Sequence, residues 1–117
     1  MSVIANILTG LVAVLHIGFL ILEMFLWQRP LGQRIFGTTP AFAAESAKLA
    51  ANQGLYNGFL AAGLIWSLTH AGGFYTKVFF LTCVIIAGLY GGFTVKKSIL
   101  YIQALPALVA LILLHLN

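Results

Sequence analysis

The chain has 117 residues, 62% hydrophobic and 7% charged, with a mean hydropathy of +1.05 and a formal charge of +4. Soluble domains carry roughly 25% charged residues, so six Lys and Arg with two Asp and Glu cannot coat a water-soluble surface. The composition predicts one integral membrane domain whose partner is the lipid bilayer. It speaks against nucleic acid, because the basic residues are scattered along the chain rather than gathered in a patch.

A spanning helix needs about 20 mostly apolar residues, and four stretches meet that length, at about residues 3–27, 48–69, 74–95 and 98–116. A backbone in lipid must satisfy its own hydrogen bonds, so runs of this length read as helices. The predicted fold is an all-α, four-helix integral membrane bundle filling residues 1–117. The first run has no basic segment before it and exceeds the hydrophobic core of a signal peptide, so it reads as a retained span. The longest connection, residues 28–47, contains Pro30, Gly32, Gly37 and Pro40. Thr39-Pro40 is a helix start, a threonine cap with proline at the first helical position. From there a helix either lies at the interface or runs straight into the second span. The other connections are short, which makes sequential helices antiparallel.

Arg29, Arg34 and Lys48 fall in or beside the first connection and Lys96 and Lys97 in the third, whereas the second has only Lys77. The positive-inside rule places the first and third connections in the cytoplasm and both termini outside. Small multidrug-resistance transporters also have four short helices and a glutamate in the first. Many of them insert both ways, which needs a weak charge bias, and the bias here is strong.

Polar side chains within apolar spans are expensive and each needs a reason. His16 and Glu23 are seven residues apart, close to two turns, so they share a face of the first helix about 10 Å apart along the axis. The second helix carries Asn52, Gln53, Tyr56 and Asn57; the third carries Tyr90; the fourth carries Gln103. Measured from the nearest cytoplasmic basic residue, Glu23, Tyr56, Tyr90 and Gln103 lie six to eight residues deep. That depth is roughly 9–12 Å, so all four are expected in one polar layer. Two strings border this layer, QGLYNGF at residues 53–59 and AGLYGGF at 87–93, and their tyrosines are expected to reach it. Asn52 or Gln103 is the expected hydrogen-bond partner of Glu23 if the carboxyl serves only as glue.

Gly54-x-x-x-Gly58 and Gly88-x-x-x-Gly92 let backbones approach closely, either within the chain or across a homodimer. Pro106 lacks the N–H that would bond the carbonyl of Ile102 and should kink the fourth helix near Gln103. Cys83, the one cysteine, lies in an apolar run and reads as packing. His16 and Glu23 are too far apart to share one ion, and no second His or Cys joins them, so neither a metal nor another cofactor is expected.

The strings LHIGFLILEMFLW, LAANQGLYNGFLAAGLIW, AGLYGGF and QALPALVALILL together resemble the bacterial membrane family catalogued as domain of unknown function 1304. The resemblance covers essentially the whole chain. It implies a small four-helix protein of the bacterial inner membrane and supplies no activity. The MAPEG enzymes offer a comparison at the level of fold. Lys48 followed by Asn52 and Asn57 parallels their second helix, but the carboxylate and the arginine richness of that family are missing.

Three functions fit these residues. The leading one is binding or transport of a small or amphiphilic solute. Glu23 would be its charged or proton-exchanging group, and His16 would lie deeper on the same face. Asn52, Gln53, Tyr56, Asn57, Tyr90 and Gln103 would orient the ligand. The second is an enzyme of isomerase type, with Glu23 and His16 as an acid–base pair. The third is an accessory subunit, in which the polar groups are glue and the glycine faces bind another membrane protein.

Overall fold

The structure, a computed structural model, describes residues 2–116 and is all-α. Its helices are α1 (Ser2–Met24), α2 (Pro30–Phe36), α3 (Pro40–Leu68), α4 (Gly73–Thr94) and α5 (Leu105–His115), with a π-helical turn at Leu100–Ala104 before the last. The expected outward placement of the termini concerns Met1 and Asn117, which lie outside the described residues.

Two helical stretches, Val3–Met24 and Gly73–Thr94, are long and apolar enough to cross a membrane. The other two expected spans are built differently. The second is the rear part of α3, whose 29 residues extend about 44 Å at 1.5 Å each. It is long enough, but Asn52, Gln53 and Asn57 dilute its apolar character. The fourth is divided between the π-helical turn and the 11 residues of α5.

Helix boundaries follow local chemistry. The first helix ends at Met24, three residues before the expected limit, with Phe25 and Leu26 both donating N–H bonds to the carbonyl of Ile21. The α2 helix was not expected, although its punctuation is legible. Pro30 stands at its start, and Gly37 closes it in the left-handed conformation at φ 68°. The Gly37 and Thr38 N–H groups then both reach the carbonyl of Gln33. Thr39 caps α3 as expected, its Oγ1 accepting the Phe42 N–H at 3.1 Å. From Pro40 that helix runs without a break, so of the two expected courses it takes the continuous one.

At Pro106 the helix forms a π turn. The Leu105 N–H bonds to the carbonyl of Leu100, five residues back, in the turn that includes Gln103. The widened turn accommodates a residue that has no N–H of its own to continue the regular ladder.

The chain divides into two compact units. The first contains residues up to Val14 together with those from Leu60 onward. Its core is Ala5, Val12, Ala13, Leu64, Leu81, Val84, Ala107, Ala110 and Leu114. Within it α4 meets the π turn through glycine. A Cβ on Gly88 would lie 2.7 Å from both Cβ and N of Ala104, and one on Gly92 would overlap the Leu100 side chain. Partner numbers rise from 100 to 104 as α4 falls from 92 to 88, so the two segments cross antiparallel.

The second unit is Leu15–Phe59. Here α1 meets α3 through Gly54 and Gly58, whose added Cβ atoms would sit 2.7 Å from Met24 Cγ and 2.6 Å from Leu20 Cδ1. The reversed order again marks antiparallel packing. Trp27 fastens the connection to α3, its Nε1 donating to Ser46 Oγ at 3.0 Å and its ring lying 5.0 Å from that of Phe36. Each of the four glycines that sequence left open to intrachain or interchain packing therefore faces its own chain.

Gly88→Ala forces a methyl group onto the Ala104 backbone, and overpacking of this kind costs about 1–3 kcal/mol. Gly18 has nothing within 4 Å of its would-be Cβ. Thermal unfolding in detergent should fall clearly for Gly88→Ala and not for Gly18→Ala.

Candidate functional site

The site begins with the face that the first repeated string presents. Gly54, Asn57 and Gly58 are spaced three and four apart and turn toward α1, while Leu55, Tyr56 and Phe59 are 41%, 51% and 57% exposed. The second string behaves alike. Gly88 and Gly92 are buried against the π turn, and Leu89, Tyr90 and Phe93 stand exposed. The repeated motif is thus a packing device, with glycine inward and the large side chains outward. Neither tyrosine ring turns inward as sequence alone suggested.

Glu23 is where this packing acquires chemistry. Asn57 is 5% exposed, and its Nδ2 donates to Glu23 Oε1 at 2.6 Å. Gly54, one turn from Asn57, clears the ground, since a side chain there would press on the Glu23 Cβ at 3.1 Å and on the Leu20 carbonyl at 3.2 Å. The carboxyl group is therefore held by an amide, beside a close approach of α3 to the Leu20 carbonyl that any side chain at position 54 would crowd. Glu23 itself is half-buried.

The partner is Asn57, not Asn52. The two asparagines are five residues apart, about 140° around a helix, so when Asn57 faces Glu23 the other points elsewhere. Asn52 and Gln53 are exposed. His16 is fully buried, with its ring edge-on to Phe19 at 5.3 Å. Tyr56 lies 5.9 Å from the ring of Phe59. These six residues belong to the second unit. Tyr90 and Gln103 belong to the first, Tyr90 at 73% exposure and Gln103 half-buried within the π turn. Among the described residues, no three His, Cys, Asp or Glu side chains converge at metal-binding distance.

Ser46 is a residue that sequence reasoning passed over. Its hydroxyl accepts from Trp27 and donates to the Phe42 carbonyl at 2.7 Å, linking the residues after α1 to the first turns of α3. The signal was a serine within one long helix, with a tryptophan nineteen residues earlier that needed a partner for its N–H.

The family described as "Protein of unknown function (DUF1304)" matches residues 10–115, which include both sides of the Glu23–Asn57 pair. The chain belongs to this family. A relative in Lactococcus lactis subsp. lactis (strain IL1403), "Uncharacterized protein YpaA", is 31% identical over 115 residues, covering 96% of this chain and 97% of its own. No solved structure matches. This DUF1304 chain therefore takes a family from its relatives, and its chemistry has to be read from its own residues.

The hydrogen bond makes a definite forecast. Asn57→Leu leaves the Glu23 carboxyl without its partner and should lower stability by on the order of 1 kcal/mol, read as detergent unfolding. Glu23→Gln keeps an acceptor for the same amide and should cost less.

Proposed function

We propose that the protein is a multi-pass protein of the bacterial inner membrane that binds or transports a small or amphiphilic solute at the Glu23–Asn57 pair. The membrane part of this reading is supported by the distribution of side-chain size. Only 28% of the first candidate span and 22% of the second is buried, whereas a soluble core helix is mostly buried. Ile7, Phe79, Ile86 and Phe93 stand 62–79% exposed, and the buried residues are mostly small, among them Ala5, Ala13, Ala61, Ala107 and Ala110. Small residues inside and large apolar ones outside suit helices solvated by lipid. Water would have to cover far more apolar surface than monomeric soluble proteins expose. The placement of Lys and Arg supports cytoplasmic first and third connections.

The observation that carries the binding role is a half-buried carboxyl group, oriented by a buried amide, on the more apolar of the two candidate spans. Glu23 is the penultimate residue of that span, and a carboxyl half-buried there against a neighbouring helix is a functional-site hypothesis by default. Asn57 fixes one oxygen, and the side chain is incompletely covered. Such a group can meet a cation or exchange a proton.

The same hydrogen bond favours a second reading, an accessory subunit in which Glu23 and Asn57 are glue between α1 and α3. The two separate on solute binding. Purified protein in lipid nanodiscs is titrated with a lipophilic phosphonium cation and with its neutral isostere. On the binding reading the wild type prefers the cation, and Glu23→Gln loses that preference while keeping its fold. Equal binding of both probes by wild type and variant would leave only the structural role.

Orientation is checked by labelling. In a Cys83→Ser background, Gly72→Cys should react with a membrane-impermeant maleimide on intact cells. Gln33→Cys should react only after the cells are opened.

A further inference from the structure

A second feature lies in the first unit, at the π turn. Ile85 and Leu89 of α4 form one wall of a groove of about 340 Å³, and Leu100, Tyr101, Ala104, Leu105 and Leu108 form the other. The volume falls within the ~300–1,000 Å³ of small-molecule sites. Its lining is apolar, with the small Ala104 at its floor where α4 approaches through Gly88. Leu100 to Leu108 is eight residues, so the groove runs about 12 Å along the helix.

Two lysines precede the groove wall in the chain. The chain turns there through Lys96 and Lys97, with the Ile99 N–H bonded to the Lys96 carbonyl at 3.1 Å and the Leu100 N–H to the Lys97 carbonyl at 3.0 Å. These bonds hold both lysines within about one helical turn of Leu100, the first residue of the groove wall. Both lysines are exposed. No Asp or Glu side chain exists in this unit, because the two acids of the chain, Glu23 and Glu45, both lie in the other. The first unit thus pairs an apolar slot with two exposed lysines that follow one another in the chain just before its Leu100 wall.

We propose that this groove binds an anionic glycerophospholipid, with one acyl chain along Ile85, Leu89, Leu105 and Leu108 and the phosphate at Lys96 and Lys97. The slot has the character of an acyl chain, and the charge has the sign of the headgroup. On the membrane reading, which this proposal rests on, both lysines lie at the cytoplasmic surface, where anionic lipid is attracted by juxtamembrane basic residues. The site shares no residue with the Glu23–Asn57 pair.

The test reconstitutes the full chain into vesicles of phosphatidylcholine containing a minority of phosphatidylglycerol with the same acyl chains. Co-purified lipid is then counted by native mass spectrometry. The wild type should retain phosphatidylglycerol in preference to phosphatidylcholine. Lys96→Gln with Lys97→Gln, which alters only exposed side chains, should reduce that preference by roughly tenfold or more. Leu108→Trp, which fills the groove and leaves the lysines in place, should reduce retention of both lipids. Equal retention of the two lipids by the wild type, or an unchanged preference in the lysine variant, would overturn the groove while leaving the membrane reading standing. A chain that stays in the aqueous phase and never enters vesicles would overturn both.

Discussion

Close approach of helix backbones at small residues is the constraint on which the rest of this structure depends. Glycine at 54 and 58 admits α1 to α3, and glycine at 88 and 92 admits the π turn to α4. With so few charges, the helices have little else to hold them in register. Where lipid replaces water, apolar burial gives no net drive for association, and contact distance decides how much dispersion energy two helices gain. Glycine supplies that distance at the expense of helix propensity, about 1 kcal/mol relative to alanine. Large side chains are displaced outward as a consequence, which is why each Leu-Tyr-x-Gly-Phe string exposes its leucine, tyrosine and phenylalanine.

The Glu23–Asn57 pair exists because of this packing. A carboxyl group of this kind needs a donor at short range, and the donor must be brought there by a neighbouring helix. Gly54 and Gly58 bring α3 near enough for Asn57, lying between them in sequence, to reach Glu23 at 2.6 Å. The amide in turn fixes the carboxyl group's orientation, which a binding or proton-exchanging role requires. Stability and the proposed activity thus use the same contact.

Pro106 shows how a local defect becomes surface. Its missing N–H is accommodated by a π turn, and that turn supplies Leu100, Tyr101 and Ala104 to the apolar groove. Widened turns of this kind recur at functional sites because they rotate side chains out of the regular helical register. Here the rotation happens within a few residues of two lysines that no acid in the same unit can neutralise.

Much of this was legible in the sequence. Length and hydropathy gave the helical class, Thr39-Pro40 gave the start of α3, and the small residues at i and i+4 marked the faces where helices meet. The family resemblance rested on strings that the family match covers. Those features are local, set by propensity, capping and spacing along one helix. The short α2 was missed because seven residues carry too little periodicity to outweigh a loop-like composition, although Pro30 and Gly37 bracket it. The partner of Glu23 was also beyond reach, since counting depth along single helices says nothing about rotation around them. Asn52 and Asn57 are equally polar and lie four and nine residues from Lys48, on either side of the depth of Glu23, and only the tertiary contact of α1 with α3 decided that Asn57 turns inward. Rotation about a helix axis is set by which surface its neighbour covers, and that is a property of two segments rather than of one.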